Sequence, residues 1–188
     1  QPRNFTFWVM AFLFVVCSNF TIQGFSNAGK AYPESVGLGS AWFGLFALVF
    51  LWIFSRLDRH SSIPAKAKIV AFLFAGLVTT FGMAGVNNNA FRSILHKSFG
   101  TEFLLDWSAG LTAPWSEEIV KVLPVILLIG LAPRVMRSAF DGFIIGAISG
   151  LGFQVFESVS YVWNTAALNF GEAKYGTSTM MIRTVMST

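Results

Sequence analysis

Long apolar stretches alternate with short polar segments along the whole chain. Five stretches are long and apolar enough to cross a bilayer as helices, and they lie at about 5–25, 37–55, 67–86, 115–132 and 140–163. A sixth apolar stretch begins near residue 179. The pattern predicts an all-α fold, a polytopic transmembrane helical bundle with five complete spans and a truncated sixth. We expect one membrane-embedded domain over residues 1–188, incomplete at both ends, since the chain begins with Gln1 rather than methionine.

The composition supports a membrane protein and excludes an ordinary soluble domain. Hydrophobic residues make up 54% of the chain and charged residues only 12%, whereas a soluble domain carries about 25% charged residues. The net charge of +4 is small and spread over several loops. A lipid surface explains that charge more simply than nucleic acid does. The expected partner is therefore the lipid bilayer, and no nucleic acid is expected.

The distribution of basic residues predicts the orientation of the spans. Seven basic residues lie on the side that holds the N-terminus and the loops 56–66 and 133–139, and four lie on the other side. Cytoplasmic loops carry the excess of Lys and Arg. The N-terminal side is therefore predicted to be cytoplasmic. The longest outer segment, 87–114, begins with three asparagines, which favour a turn, and continues with apolar residues at helical spacing, which indicate a helix lying in the interface.

Two adjacent acids open the predicted fourth span. Glu117 and Glu118 follow Ser116, a plausible N-cap, and Lys121 lies one turn later. Acids in a first helical turn complement the helix dipole, and this explanation is sufficient when the fourth span is considered alone. Lys121 is four residues after Glu117, so the two side chains share a helix face and can form an ion pair. Glu118 points about 100° away from Glu117.

The predicted fifth span brings a third acid to the same depth. Gly142, Gly146 and Gly150 have the spacing that lets two membrane helices pack closely. Glu157 lies within about 20° of the Gly146 direction and about 24 Å along the helix from Asp141, which is the outer half of the bilayer core. The fourth and fifth spans run in opposite directions and are joined by a short loop. We therefore expect the three carboxylates to converge near the outer face, shielded from lipid.

A buried carboxylate cluster at the membrane edge suits two kinds of chemistry. One carboxylate can act as a general base that activates water while another acts as the acid, and peptide-bond hydrolysis uses both. Alternatively, the cluster can bind a cation, either as a catalytic metal site or as a transport site. The alternative function is therefore a non-catalytic membrane protein, either a cation-binding transporter subunit or a scaffold that binds partner helices.

Two motifs in consecutive spans carry a resemblance to a known family. Glu117-Glu118-Ile119-Val120-Lys121 has the form Glu-Glu-x-x-Lys, and Phe153-Gln154-Val155-Phe156-Glu157 has the form Phe-x-x-x-Glu. Ala113-Pro114 precedes the first motif, and Asp141-Gly142 and Gly150-Leu151-Gly152-Phe153 lead into the second. In this order and spacing, they resemble the PrsW family of intramembrane proteases, glutamic-type or metallo-, which are distant relatives of the CAAX-processing and bacteriocin-immunity membrane proteases.

The resemblance implies an activity, a substrate and a set of site residues. Glu117, Glu118 and Glu157 inherit the family's active-site role, with Lys121 as the accompanying motif residue. The implied function is endopeptidase cleavage of a single-pass membrane protein, similar to an anti-sigma factor, near the extracytoplasmic face. The implied location is the bacterial cytoplasmic membrane, with the chain as a multi-pass integral protein.

The resemblance also implies a histidine on a later span, and this chain ends just before that position. His60 lies in a predicted cytoplasmic loop and His96 in the outer segment, so neither is expected to replace it. The cofactor is left open by the sequence. Glu118 and Glu157 are candidate ligands for a divalent metal such as zinc, and activation of water without a metal is the alternative.

Overall fold

The computed structural model describes residues 3–60 and 63–186, without the side chains of His60 and Ala109. The helices are α1 (Phe5–Ala31), α2 (Pro33–Leu57), α3 (Ala65–Phe74), α4 (Val86–Ala113), α5 (Ile119–Leu131), α6 (Ala139–Leu168) and α7 (Ala173–Met186). Two π-helical segments, Ala75–Gly85 and Pro114–Glu118, join α3 to α4 and α4 to α5, and a short 3₁₀ turn, Asp58–His60, follows α2. The described residues contain no strand, so the predicted all-α bundle is confirmed.

Four helical stretches within the described residues are long and apolar enough to cross a membrane: Phe5–Ala31, Pro33–Leu57, Ala65–Ser108 and Ala139–Leu168. The predicted fourth span is also helical, over Pro114–Leu131, but it is divided into a five-residue π-helical segment and the 13 residues of α5. The predicted sixth span corresponds to α7, which begins at Ala173, earlier than expected. The chain is an integral membrane protein, with helices longer than the hydropathy pattern alone indicates.

Helix α6 forms the centre of the bundle. It packs against α2, α3, α5, α7 and the π-helical segment Ala75–Gly85. The side chains of Ile144, Ile145 and Ser149 are completely buried. Its first turn is fixed by a capping box, in which the Ser138 hydroxyl accepts from the Asp141 N–H and the Asp141 carboxylate accepts from the Ser138 N–H. A central and well-defined α6 gives the residues at its far end fixed neighbours.

The π-helical segment Ala75–Gly85 is stabilised by hydroxyl groups. Thr79 and Thr80 both donate to the Ala75 carbonyl, at 2.6 and 3.1 Å. Thr21 of α1 donates to the Leu77 carbonyl at 2.6 Å. These bonds matter because an unpaired backbone carbonyl inside a bilayer costs several kcal/mol. The hydroxyls therefore stabilise the π-helical geometry within the apolar bundle.

Close packing on α6 depends on a different glycine from those predicted. A Cβ atom at Gly142 or Gly150 would have no neighbour within 4 Å, and one at Gly146 would only touch Val125 at 4.0 Å. The predicted contact stripe is therefore wrong. Gly152 makes the close approach instead, because a Cβ there would collide with the Phe72 carbonyl oxygen of α3. The spacing of four residues correctly identified one face of α6, but that face is not the one packed closely against another helix.

The predicted outer loop is helical. Asn87, Asn88 and Asn89 lie in the first turn of α4 and not in a turn, because α4 continues the helical run from Ala75–Gly85 without a break. The chain bends at Gly100, whose φ of +85° is a conformation that glycine adopts readily. Across this bend, Phe99 contacts the Phe103 ring, and Phe103 contacts Trp107 on the second arm of α4. The interfacial location of this arm remains a prediction.

Candidate active site

Helices α5 and α6 pack as antiparallel neighbours, as the short connection between them predicted. The Ser149 hydroxyl donates to the Lys121 carbonyl at 3.2 Å, and the Lys121 ammonium lies 4.7 Å from the centre of the Phe153 ring. One turn before Lys121 and one turn after Phe153, Glu117 is level with Glu157. The predicted common depth of these two acids is therefore confirmed by the register of the two helices.

Glu117 is held from α4. It lies in the π-helical segment Pro114–Glu118 and is half-buried. The Asn88 amide donates to Glu117 Oε1 at 3.1 Å. The buried Ser116 hydroxyl lies within hydrogen-bond distance of Asn88 Oδ1 and of the Thr112 carbonyl. This network fixes the direction of the Glu117 carboxylate, and π-helical turns of this kind are frequent at functional sites.

Glu157 is held from α7. Its Oε2 atom lies 2.5 Å from an Arg183 guanidinium nitrogen, and the two side chains are only 15% and 20% exposed. Arg183 Nε also donates to the Ser158 hydroxyl at 3.1 Å, and the guanidinium stacks 4.1 Å from the centre of the Tyr161 ring. Glu117 and Lys121 also lie near enough for their charges to interact with the Glu157 carboxylate. Glu117, just before α5, and Glu157, in the second half of α6, therefore belong to one electrostatic cluster.

Glu118 is not part of the inner cluster. Its side chain is 67% exposed, and Lys121 binds Glu118 Oε1 at 2.7 Å rather than pairing with Glu117. The expectation that three carboxylates converge in a shielded site is therefore wrong for Glu118, because adjacent residues of a helix point in directions about 100° apart. Lys121 lies between the two groups, since it binds Glu118 and also acts on Glu157.

Arg183 and Asn88 are not among the residues that the sequence predicts for this site. Each comes from an element that is distant in sequence, 26 residues from Glu157 and 29 from Glu117. One signal was available for Arg183, because a basic residue inside an apolar segment needs a buried acid as a partner. For Asn88 the available signal was its position at the end of an apolar run, and the three consecutive asparagines favoured a turn over a helix.

The described residues do not complete a metal site. Zinc sites use at least three protein ligands, and no cluster of three His, Cys, Asp or Glu side chains occurs in the described part of the chain. Glu157 is occupied by Arg183, and Glu118 is bound by Lys121 on the exposed side. His96 is exposed and bonds to Thr101 at 3.1 Å, as expected for a histidine outside the site, and the side chain of His60 lies outside the description. These donors do not fit a zinc ion in the arrangement described.

Comparison with known proteins identifies the family. No curated protein and no solved structure matches the chain. The family model described as PrsW family intramembrane metalloprotease matches residues 63–188, which is more than half of the chain and includes both glutamate motifs. The chain therefore belongs to the PrsW family and is an intramembrane protease, a hydrolase of peptide bonds.

Proposed function

We propose that this protease cleaves a single-pass membrane protein, similar to an anti-sigma factor, near the extracytoplasmic face of the bacterial cytoplasmic membrane. The observation that supports the proposal is that two acids, Glu117 and Glu157, lie at the same level on neighbouring helices and form one charged cluster. Glu117 and Glu157 act on each other electrostatically, and each is held by a polar partner from another helix. The positive-inside distribution of Lys and Arg supports an extracytoplasmic position for this cluster.

The two carboxylates suit the two proton transfers of peptide hydrolysis. One carboxylate accepts a proton from water as the water oxygen forms a bond to the peptide carbonyl carbon. The C–N bond then breaks, and the second group delivers a proton to the leaving amine. We assign the base to Glu157, because Arg183 holds its carboxylate in a fixed direction. We assign the acid to Glu117, because it is the other carboxylate of the cluster and the Asn88 amide fixes its direction.

Lys121 and Glu118 have supporting roles in this proposal. The Lys121 ammonium binds Glu118 at 2.7 Å and also acts on Glu157, so it links the exposed acid to the inner cluster. We infer that Lys121 balances the negative charge that develops on the carbonyl oxygen during attack. Glu118, on the exposed side of Lys121, keeps that ammonium in place and contacts incoming water.

The test measures cleavage of a single-pass reporter with a tag on each side of its span, co-expressed with the protease in bacterial membranes. Glu157→Gln and Glu117→Gln should each reduce cleavage by about a hundredfold or more and leave membrane insertion unchanged. Glu172→Gln is the matched control, because Glu172 forms an ion pair with Lys174 as Glu157 does with Arg183, but it is exposed between α6 and α7. Normal cleavage by both site variants would overturn the proposed mechanism.

A further inference from the structure

A cleft lies beside the candidate active site and is used by none of the groups assigned above except Lys121. Its volume is 280 Å³, and it opens between α2, α5 and α6. One wall of the cleft is aromatic, one end is polar, and the side formed by α6 carries a glycine. The residues that define these parts are Phe46, Phe50, Phe54, Lys121, Gly150 and Gln154. The cleft is therefore a mixed apolar and polar groove at the surface of the bundle.

The aromatic wall follows one face of α2. Phe46, Phe50 and Phe54 are spaced by four residues, and their rings follow one another with centroid distances of 4.6 and 6.2 Å. Opposite this wall, α6 presents Gly150, where a Cβ atom would have no neighbour within 4 Å. The aromatic wall and the glycine together leave an apolar part of the cleft that can accept side chains and a peptide backbone.

The polar end of the cleft leads to the candidate active site. Gln154 is three residues before Glu157, about 4.5 Å along α6, and its amide donates to Ser158, which also binds Arg183. Lys121 is four residues after Glu117, about 6 Å along α5. Both polar groups therefore lie one helical turn deeper in the bundle than the carboxylates. Glu117 and Glu157 therefore lie on the same two helices as the polar end of the cleft, about one turn away.

We propose that this cleft binds the membrane-embedded segment of the substrate, on the side of the scissile bond that lies deeper in the bilayer. Peptide groups that leave a helix inside a membrane need new hydrogen-bond partners. Lys121 and Gln154 place polar groups at one end of the cleft, where such peptide groups would lie. The aromatic wall contacts the apolar side chains that a membrane segment carries. The occupant is therefore a segment of a single-pass substrate, and this inference rests on the proposed proteolytic function.

Cysteine crosslinking tests where the substrate lies. The single native cysteine, Cys17, is replaced by alanine, and Glu157→Gln prevents cleavage. Gly150→Cys is compared with Gly142→Cys, because a Cβ atom has no neighbour within 4 Å at either position. The two positions are about 12 Å apart on α6. The probe is the tagged single-pass reporter, with one cysteine introduced at successive positions across the inner half of its span.

We expect disulfide formation between the reporter and position 150, at least tenfold more than with position 142, at one or two reporter positions. Equal crosslinking at both protease positions, or none at position 150, would overturn the proposal. A cleft filled by a lipid acyl chain gives the second of these results. The readout does not require cleavage, so it remains informative even if the proposed function fails.

A second measurement fills the cleft. Gly150→Leu should raise KM for the reporter about tenfold or more, with a smaller change in kcat, while Gly142→Leu should behave like the unmodified protease. If Glu157→Gln abolishes cleavage but the two leucine variants are equal, the cleft proposal fails and the proposed function stands. If the unmodified protease does not cleave the reporter, the proposed function fails and only the crosslinking result decides on the cleft.

Discussion

The two acidic regions of the candidate site differ in how their side chains are held. On α6, Glu157 is 15% exposed and is fixed by Arg183, which itself contacts Ser158 and Tyr161. At the start of α5, two adjacent acids separate: Glu117 turns inward to Asn88, whereas Glu118 is 67% exposed. The family motif treats Glu117 and Glu118 as a pair. The structure gives them different surroundings, and a side chain's surroundings rather than its motif position determine its chemistry.

Because of this difference, we expect the loss of each acid to reduce catalytic activity by a different amount. A charge that is buried and fixed in direction is pre-organised for proton transfer. An exposed carboxylate in a single ion pair contributes little, because solvent or a neighbouring group can replace it. The comparison therefore predicts a hierarchy, with Glu157 first, Glu117 next and Glu118 after them. The following predictions test this hierarchy from the largest expected effect to the smallest.

The largest effect is expected for Glu157→Gln, with cleavage reduced by about 10²–10⁴-fold, the range typical of a general base. The double variant Glu157→Gln/Arg183→Gln should be no worse than the single variant, because both changes remove one coupled pair. Reporter cleavage in membranes with matched protein levels measures both. A double variant that loses a further tenfold or more would show that Arg183 acts independently of Glu157.

The comparison of Glu117→Gln with Glu118→Gln tests the two adjacent acids directly. We expect about a hundredfold loss of kcat for Glu117→Gln, within the range of general acid catalysis, and about tenfold for Glu118→Gln, because its carboxylate acts only through Lys121. Parallel kcat measurements on the same reporter decide this. Equal losses would mean that the exposed conformation of Glu118 is not the one that works during catalysis.

Arg183 is predicted to position Glu157 rather than to contact the substrate. Arg183→Gln should lower kcat by about tenfold, the scale of a displaced catalytic group, and leave KM nearly unchanged. Arg183→Lys should recover part of the activity, since a lysine keeps the charge but not the second bond to Ser158. The split between kcat and KM is the measurement. A change mainly in KM, or no recovery with lysine, would indicate a structural or substrate-binding role instead.

The smallest effect is expected for Asn88→Ala, which removes the amide that holds Glu117. A hydrogen bond to a charged group contributes about 1.5–3 kcal/mol, but water can replace part of it, so we expect at most about a tenfold loss of kcat. Asn87→Ala is the control, because Asn87 is the exposed neighbour in the same helical turn. Identical kcat values for the two alanine variants would contradict the role assigned to Asn88.

Several features of the fold and site followed from residue spacing. The apolar pattern gave the positions of the spans, and the short connection gave the antiparallel pairing of α5 and α6. The common depth of Glu117 and Glu157 followed from the rise per residue, which is a fixed property of a helix. The ion pair of Lys121 was predicted, although its partner is Glu118 rather than Glu117. Residue spacing therefore placed Glu117 and Glu157 at the correct level but gave the wrong partner for Lys121.

Other features depended on contacts between segments that are far apart in the chain. The predicted glycine stripe failed because Gly150 faces the cleft, while Gly152 packs against the Phe72 carbonyl. The predicted turn at Asn87–Asn89 failed because α4 continues the preceding helix and directs Asn88 toward Glu117. In both cases, the local sequence pattern could not identify the neighbouring helix that each residue faces.

The sequence by itself determined that this is a helical membrane protein and that Glu117 and Glu157 are level on neighbouring spans, because hydropathy and helical rise are local properties. Only the tertiary structure decided which carboxylates face inward and what holds them. Arg183 reaches Glu157 from α7, Asn88 reaches Glu117 from α4, and the π-helical segment Pro114–Glu118 sets the direction of the paired acids. Direction and partner depend on the packing of distant helices, and no pattern within one helix contains that information.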